Sequence, residues 1–213
     1  MDTKKEIRRK ILSLRDAVLP EDRKAGSKKI KEHMIRLPCY RDADVILAYV
    51  SYRSEVDTMD LIGQALADGK QVFAPKVAGD EMEFWHLGGL DALQSGYQGI
   101  LEPIETLSYP AYSSLKKSRG QKSSVLMWMP GAVFDRTCHR IGYGKGFYDK
   151  YLDRLYNKSD VTPWGKGDGV LTTVALAYEC QVLEQIPCEP HDYRPDFILT
   201  ECGLIEQTIV CDK

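Results

Sequence analysis

The chain has 213 residues, of which 43% are hydrophobic and 28% are charged. This composition is ordinary for a folded globular protein and excludes a disordered chain, a collagen and a coiled coil. No run of about 18 uncharged apolar residues is present, so we predict no transmembrane helix. Charged residues occupy the positions near the N-terminus where a signal peptide has its apolar core, and we therefore expect a cytoplasmic protein.

The net charge of −2 is distributed unevenly along the chain. Residues 1–36 contain 12 basic and 6 acidic side chains, whereas the remainder is acidic. A basic segment of this kind indicates either an anionic ligand nearby or a solvated helix face. None of the six cysteines lies at the close spacing of a zinc site, so we predict reduced thiols.

Two helices are predicted at the N-terminus. Apolar side chains recur at helical spacing within residues 3–18, where Thr3 can cap the first turn. Pro20 suits the first turn of a second helix, which we predict to run to about residue 36 and to be ended by Pro38. The apolar stripe of the first helix consists of Ile7, Ile11, Leu14 and Val18.

Predicted strands and helices alternate through the rest of the chain. The run VILAYV at 45–50 is almost continuously apolar, which is typical of a strand buried on both faces. Asp57 or Thr58 can cap a helix over residues 59–68. Further strands are predicted at 71–77, 81–87, 125–129, 170–177 and 197–200, further helices at 147–156 and 180–185, and exposed loops at 104–122 and 157–169.

This alternation predicts an α/β fold with three layers, α/β/α, around a mostly parallel, Rossmann-like sheet. We expect a single domain over residues 1–213, in which the helices of residues 3–36 pack on an α/β core at 45–210. Ligands of such sheets bind beyond the carboxyl ends of the strands.

The segment from Pro130 to Asp149 carries the chemistry. It contains three alternating glycines, whose backbone N–H groups can turn toward a bound oxygen, together with Arg140 and Lys145 as fixed cations. Asp149 follows in the first turn of a predicted helix, either as a Mg²⁺ ligand or as an acid that complements the helix dipole. The pattern suits a polyphosphate, although a tight structural turn is an alternative, and it matches neither the Walker nor the dinucleotide motif.

The sequence MPGAVFDRTCHRIGYGKGFYDKYL at 129–152 is similar to the signature of the 5-formyltetrahydrofolate cyclo-ligases. The resemblance extends to KKEIRRKIL near the N-terminus, AYVSYRSEVDT at 48–58, GILEP at 99–103 and PHDYRPDFILTE at 190–201, in the same order. The chain departs from the usual motif at Ile141, where Leu is common, and at Phe147, where a Tyr hydroxyl is missing.

The resemblance implies an enzyme that uses ATP and Mg²⁺ to convert 5-formyltetrahydrofolate to 5,10-methenyltetrahydrofolate, ADP and phosphate. Arg140 and Lys145 would then be catalytic, and cations of the first helix would reach the nucleotide. On the residues alone, a solvated surface is the better interpretation of these helix cations. The nucleotide site implied by the family consists of Lys4, Lys5, Arg8, Arg140, Ile141, Gly142, Tyr143, Gly144, Lys145, Gly146, Phe147 and Tyr148.

The resemblance also implies a folate site and a metal site. Asp149 and Asp192 would hold Mg²⁺, although Asp192 is also a typical Asx-turn residue. Glu55 would accept hydrogen bonds from the pterin, with an exposed loop acid as the alternative. The implied folate contacts are Arg8, Val50, Glu55, Tyr143, Gly144, Lys145, Gly146 and Phe147.

Two other functions were weighed against this interpretation. One is a different phosphoryl-group enzyme, such as a sugar-phosphate isomerase or an acyl-transfer relative, for which Glu55 is the available general base. The other is a nucleic-acid binder using residues 1–36, but no aromatic side chains interleave this basic run. We expect a monomeric enzyme with a small-molecule substrate and no nucleic-acid or membrane partner.

Overall fold

The computed structural model describes residues 3–108, 124–157, 171–190 and 192–206. Almost all of the predicted loop at 157–169, and most of that at 104–122, lie outside the described residues. The helices in these ranges are α1 (Lys4–Ala17), α2 (Pro20–Met34), α3 (Pro38–Arg41), α4 (Met59–Ala67) and α5 (Phe147–Asn157).

The strands in the same ranges form three sheets. They are β1 (Val45–Leu47), β2 (Gln71–Ala78), β3 (Glu81–His86), β4 (Leu93–Ser95), β5 (Leu101–Pro103), β6 (Val125–Met129), β7 (Val133–Asp135), β8 (Arg140–Ile141), β9 (Leu171–Leu176), β10 (Val182–Leu183), β11 (Phe197–Thr200) and β12 (Gly203–Glu206).

Seven strands build the central sheet in the order β12-β11-β9-β6-β1-β2-β3. The five inner strands are parallel, and β12 and β3 add to the two edges in antiparallel orientation. In the middle of the sheet, Leu47 is aligned with Phe73 of β2 and with Met127 of β6. The predicted α/β fold with a mostly parallel sheet is confirmed.

The inner strands are covered on both faces, as their apolar sequences predict. Ile46 and Trp128 belong to a buried cluster that includes side chains of α2 and α4. The alternate residues Leu47 and Met127 belong to a second cluster that includes side chains of α5. Because successive side chains of a strand point to opposite faces, the two clusters mark the two sides of one sheet, and the three layers α/β/α are confirmed.

A second sheet, in the order β10-β7-β8, leads into the glycine-rich segment. Val133 of β7 lies opposite Ile141 of β8, immediately before Gly142. Ile11 of α1 packs with both of these side chains in a small buried cluster. The apolar stripe of the N-terminal helix therefore fixes α1 against the strands from which this segment emerges.

The first strand is shorter than predicted, because it ends at Leu47 rather than at Val50. The chain then folds into a compact loop around one buried side chain. The Thr58 hydroxyl donates to the Tyr49 carbonyl at 2.8 Å and accepts from the Ser51 amide at 3.0 Å. The Asp57 carboxylate caps α4 by accepting from the Met59 amide at 2.9 Å, which decides between the two predicted caps.

Other predicted elements are corrected by the structure. Residues 180–185 are not a helix: a 3₁₀ turn at Glu179–Gln181 leads into β10, because the buried Gln181 side chain donates to the Gly131 carbonyl at 2.9 Å. Pro38 begins the short helix α3, after α2 has already ended at Met34. The short strands β4, β5, β7, β8, β10 and β12 were not predicted.

No helix in the described residues is both long enough and apolar enough to span a membrane. Cys39, Cys138, Cys180, Cys188 and Cys202 are free thiols, as expected for a chain without disulfides over these ranges.

Candidate active site

A cleft of about 550 Å³ lies beyond the carboxyl ends of β1 and β6. Val50, which follows β1, and Pro130, which follows β6, both line it. Residues of α1, of the β2–β3 hairpin and of the segment 140–149 complete its walls. This is the position at which the sheet topology predicts a ligand site.

The segment Gly142–Gly146, which we call the glycine loop, connects β8 to α5 along one wall. Gly144 has a φ of +101°, a backbone conformation in which a Cβ atom would be strained. A Cβ added at Gly142 would lie 3.0 Å from an Nη1 atom of Arg140. A side chain would therefore be strained at Gly144 by the backbone conformation and crowded at Gly142 by Arg140.

Arg140 presents a nearly buried cation at the base of the glycine loop, with only 7% of its surface exposed. Its Nη2 atom donates to Asp149 Oδ1 at 2.7 Å, and its Nη1 atom reaches the Pro130 carbonyl at 3.4 Å. The buried Nε atom of Arg140 and the buried hydroxyl of Tyr148 have no hydrogen-bond partner among the described residues. Two unsatisfied polar atoms beside one cleft indicate a ligand that completes their hydrogen bonds.

Helix α1 brings two more cations to the loop. Thr3 and Glu6 form a capping box that begins the helix, which fixes the orientation of its first turn. Lys4 Nζ contacts Asp192 Oδ2 at 2.6 Å and Glu189 Oε2 at 3.1 Å, and Arg8 Nε donates to the Gly142 carbonyl at 2.7 Å. Burial opposes the charge of Lys4, but its two acidic partners raise the pKa overall.

Glu55 lies on another wall of the cleft, close to Val50. Its Oε2 atom accepts from the Tyr52 amide at 2.8 Å, which folds residues 52–55 into a tight turn. Burial raises the pKa of Glu55, while hydrogen bonds from the Tyr143 hydroxyl and the Tyr52 amide, and the charge of Arg15, oppose this rise. Glu55 is therefore a partly buried carboxylate held by its neighbours and not an exposed loop acid.

Arg15 is the principal site residue that the sequence interpretation missed. It is 4% exposed, lines the cleft, and donates to the Tyr143 hydroxyl at 2.7 Å and to the Ser54 hydroxyl at 3.0 Å. The available signal was its spacing, because Arg15 follows Ile11 by one helical turn and falls on the apolar stripe of α1. A charged residue within a buried stripe indicates a partnered, functional cation.

The cleft brings together many, but not all, of the predicted site residues. Lys4, Arg8 and Asp192 are joined to its margin through the ion pair and hydrogen bond given above. Ile141 is buried in the cluster around Ile11, and Lys5 is exposed with no contact toward the cleft among the described residues. The predicted residues that line the cleft are Val50, Glu55, Arg140, Gly142, Tyr143, Lys145, Gly146, Phe147, Tyr148 and Asp149.

The two predicted metal ligands are close to each other in the fold. The Tyr193 amide, next to Asp192 in the chain, donates to Asp149 Oδ1 at 3.3 Å. No group of three or more His, Cys, Asp or Glu side chains in the described parts of the chain could hold a metal. Two carboxylates fit Mg²⁺ when phosphate oxygens and water complete its octahedral shell, so this donor set suits a metal that arrives with a phosphate ligand.

Comparison with known proteins shows to which family the chain belongs. The family model of the 5-formyltetrahydrofolate cyclo-ligases matches residues 1–201. The chain belongs to this family. It is therefore an enzyme, a cyclo-ligase of folate one-carbon metabolism.

Individual relatives match over most of their length. The chain is 27% identical over 187 residues to the 5-formyltetrahydrofolate cyclo-ligase of Mus musculus, covering 87% of each chain. It is 26% identical over 218 residues to the mitochondrial enzyme of Arabidopsis thaliana, covering 96% of this chain and 76% of the relative. The NMR structure of Aquifex aeolicus 5,10-methenyltetrahydrofolate synthetase superposes with a TM-score of 0.77 at 26% identity, covering 99% of this chain and 95% of that one.

The glycine loop of this cyclo-ligase allows a test that separates backbone strain from anion binding. Gly144→Ala should destabilise the fold by about 1–2 kcal/mol, because a Cβ is strained at positive φ, and it should also weaken binding of inorganic triphosphate. Gly69→Ala is the matched control, since Gly69 has a φ of +76° and open space around it, away from the cleft. Urea unfolding and calorimetric titration measure the two effects. Equal triphosphate affinity in the two variants would exclude the loop as the anion site.

Proposed function

We propose that this cyclo-ligase converts 5-formyltetrahydrofolate to 5,10-methenyltetrahydrofolate in a reaction that consumes ATP and requires Mg²⁺. One observation carries the proposal: a single cleft joins a glycine loop with cations to a partly buried carboxylate, Glu55, on another wall. The loop suits a polyphosphate and the carboxylate suits a pterin. The two substrates would therefore meet in one enclosure.

The chemistry of the substrate explains why a polyphosphate is needed. The formyl group is an amide, and its oxygen is a poor leaving group as hydroxide or oxide. We propose that this oxygen attacks the terminal phosphorus of ATP and that ADP leaves. The folate N10 then attacks the activated formyl carbon, and phosphate departs. Phosphoryl transfer of this kind depends on positioning and charge neutralisation more than on acid–base groups.

The chain supplies that positioning from three directions. In this proposal, backbone N–H groups of the glycine loop would bind the phosphates, and Lys145, which is exposed on the cleft wall, would provide an ammonium. Arg140 adds a guanidinium with one unsatisfied Nε atom. Lys4 and Arg8 enter from α1, where their present partners are Asp192 and the Gly142 carbonyl.

Asp149 and Asp192 are the proposed holders of Mg²⁺, which would supply charge neutralisation on the phosphate oxygens. Each carboxylate is paired with a cation, Asp149 with Arg140 and Asp192 with Lys4. We propose that these pairs change partners when both substrate and metal bind, so that the cations contact phosphate and the carboxylates contact the metal. The charges of the site would remain balanced before and after binding.

The proposed folate site combines aromatic side chains with the carboxylate of Glu55. Tyr97 contacts Phe147 edge to face, with ring centroids 6.0 Å apart, and both line the cleft. Glu55 would accept hydrogen bonds from pterin N–H groups, and its burial would make those bonds strong. The missing Phe147 hydroxyl removes any hydrogen bond from that position but leaves the aromatic wall intact.

The family does not settle every expectation from the sequence. The cytoplasmic location stays a prediction, because the Arabidopsis relative is a mitochondrial enzyme. The monomeric state stays a prediction as well. The isomerase and nucleic-acid alternatives have no support in the family match.

A spectrophotometric assay tests the proposed function. Purified protein, MgATP and (6S)-5-formyltetrahydrofolate should give a rise in the methenyl absorbance band and one ADP for each product formed. Omission of ATP or of Mg²⁺ should abolish the rise. Folded protein that produces neither signal would contradict the proposal.

Lys145→Ala should raise the KM for ATP by at least about tenfold, which corresponds to about 1.4 kcal/mol, and should change the KM for folate far less. The reason is that the ammonium contacts phosphate and not the pterin. Lys29→Ala, an exposed lysine on α2, is the control and should leave both constants unchanged. Equal increases in both KM values for Lys145→Ala would contradict this division between the two substrates.

Asp149→Asn should shift the Mg²⁺ dependence of the rate to higher concentration by about tenfold or more, because a neutral amide is a weaker ligand than a carboxylate. Asp60→Asn tests the alternative role, since Asp60 is also an acid in the first turn of a helix. If the two variants show the same Mg²⁺ titration as the unmodified enzyme, Asp149 is not a Mg²⁺ ligand and acts through its ion pair with Arg140 and the helix dipole.

A further inference from the structure

Arg15 connects three separate parts of the cleft. It lies in the last turn of α1, donates to the Ser54 hydroxyl in the loop after β1, and donates to the Tyr143 hydroxyl in the glycine loop. Its guanidinium also lies 5.7 Å from the centre of the Tyr143 ring. None of the proposed steps above uses this residue.

The hydroxyl of Tyr143 connects the proposed nucleotide site with the proposed folate site. It accepts from Arg15 at 2.7 Å, donates to the Gly131 carbonyl at 3.3 Å, and interacts with the Glu55 carboxylate, whose pKa it lowers. A phenol has one proton, and an ionised Glu55 competes for it with the Gly131 carbonyl because a charged acceptor forms the stronger hydrogen bond. Arg15 donates to the same oxygen, so the phenol proton points away from Arg15.

Ser54 forms the second connection. Its hydroxyl accepts from Arg15 Nε and donates its only proton to Asp16 Oδ1, and both of these partners belong to α1. This holds the turn of residues 52–55, whose Tyr52 amide donates to Glu55. Glu55 is thus oriented from one side through Ser54 and from the other through Tyr143, and Arg15 is common to both routes.

We propose that Arg15 is a positioning residue that orients Glu55 and the glycine loop together for folate binding. This inference rests on the proposed function, in which Glu55 binds the pterin. Arg15 contacts neither substrate in the proposal and acts through Tyr143 and Ser54.

The charges around Glu55 give the proposal a pH signature. Burial raises the pKa of Glu55, whereas the Tyr143 hydrogen bond and the charge of Arg15 hold it down. Arg15 is the cation in this set, so its removal should raise the pKa of Glu55 further. The ionisable groups of the described residues that face Glu55 or this network are Arg15 and Asp16 of α1, Tyr49 after β1, Tyr143 of the glycine loop and Tyr148 of α5.

The test measures equilibrium folate binding and kcat/KM for folate across the acidic pH range. Folate binding requires the ionised carboxylate, so affinity falls as the pH falls through the pKa of Glu55. Arg15→Met should move this fall to higher pH by about one unit and raise the KM for folate about tenfold near neutral pH. Arg15→Lys, which keeps the charge, should restore part of the shift, and Arg9→Met on the exposed side of α1 should cause none.

Two further variants keep the test decisive if Arg15→Met does not fold. Tyr143→Phe removes the hydroxyl group that connects Arg15 with Glu55, and it should move the loss of folate affinity at acidic pH in the same direction. Ser54→Ala should raise the KM for folate. In a Glu55→Gln background the acidic fall should disappear, and Arg15→Lys should have no further effect on it. An unmodified enzyme without cyclo-ligase activity would contradict the proposed function, whereas an active enzyme whose folded Arg15 and Tyr143 variants keep the original pH profile would overturn this inference alone.

Discussion

The contact between α1 and the glycine loop is the interaction on which the cleft depends. Ile11 anchors the helix to β7 and β8, Arg8 holds the Gly142 carbonyl, and Arg15 holds the Tyr143 hydroxyl. The loop itself has little apolar surface to bury and a backbone conformation that requires glycine. Its shape therefore depends on its own glycines together with the groups on α1 that hold it.

Burial of charge explains why so many of these side chains occur in pairs. Removing one partner of a fully buried ion pair typically costs roughly 3–5 kcal/mol, because the remaining charge is left without compensation. The nearly buried Arg140 is compensated by the partly exposed Asp149, and the partly exposed Lys4 and Asp192 compensate each other, so the loss of a partner costs less in these pairs. The stability of the fold and the electrostatics of the site thus depend on the same residues.

The helices and strands that could be predicted are those whose residue pattern is visible within a short stretch of sequence. The alternation of apolar runs with amphipathic segments was sufficient for the parallel sheet, its helical layers and the position of the glycine loop. It was insufficient for short strands such as β7 and β8, whose few residues carry no periodic signal, and for residues 180–185, where the buried Gln181 side chain determines a turn.

Candidate site residues were predictable one at a time, but their partners were not. Lys4 and Asp192 were each assigned to the site from the motif resemblance, yet they are separated by 188 positions and their contact depends on the folded chain. Asp149 was open to two interpretations, and the structure adds a third contribution, its ion pair with Arg140. Arg15 had a detectable signal in its spacing, but only the structure shows which hydroxyl groups it holds.

The paired charges also bear on how the proposed substrates would enter. A polyphosphate alone would draw Arg140 and Lys4 toward itself and leave two carboxylates unpaired near its own negative charge. A divalent cation alone would draw the carboxylates and leave Arg140 without its acidic partner and Lys4 with Glu189 alone. With metal and nucleotide bound together, Arg140 and Lys4 would have phosphate and Asp149 and Asp192 would have the metal as partners, so no group would be left uncompensated. A site built from preformed carboxylate–cation pairs is, by this argument, selective for the complex over either of its components.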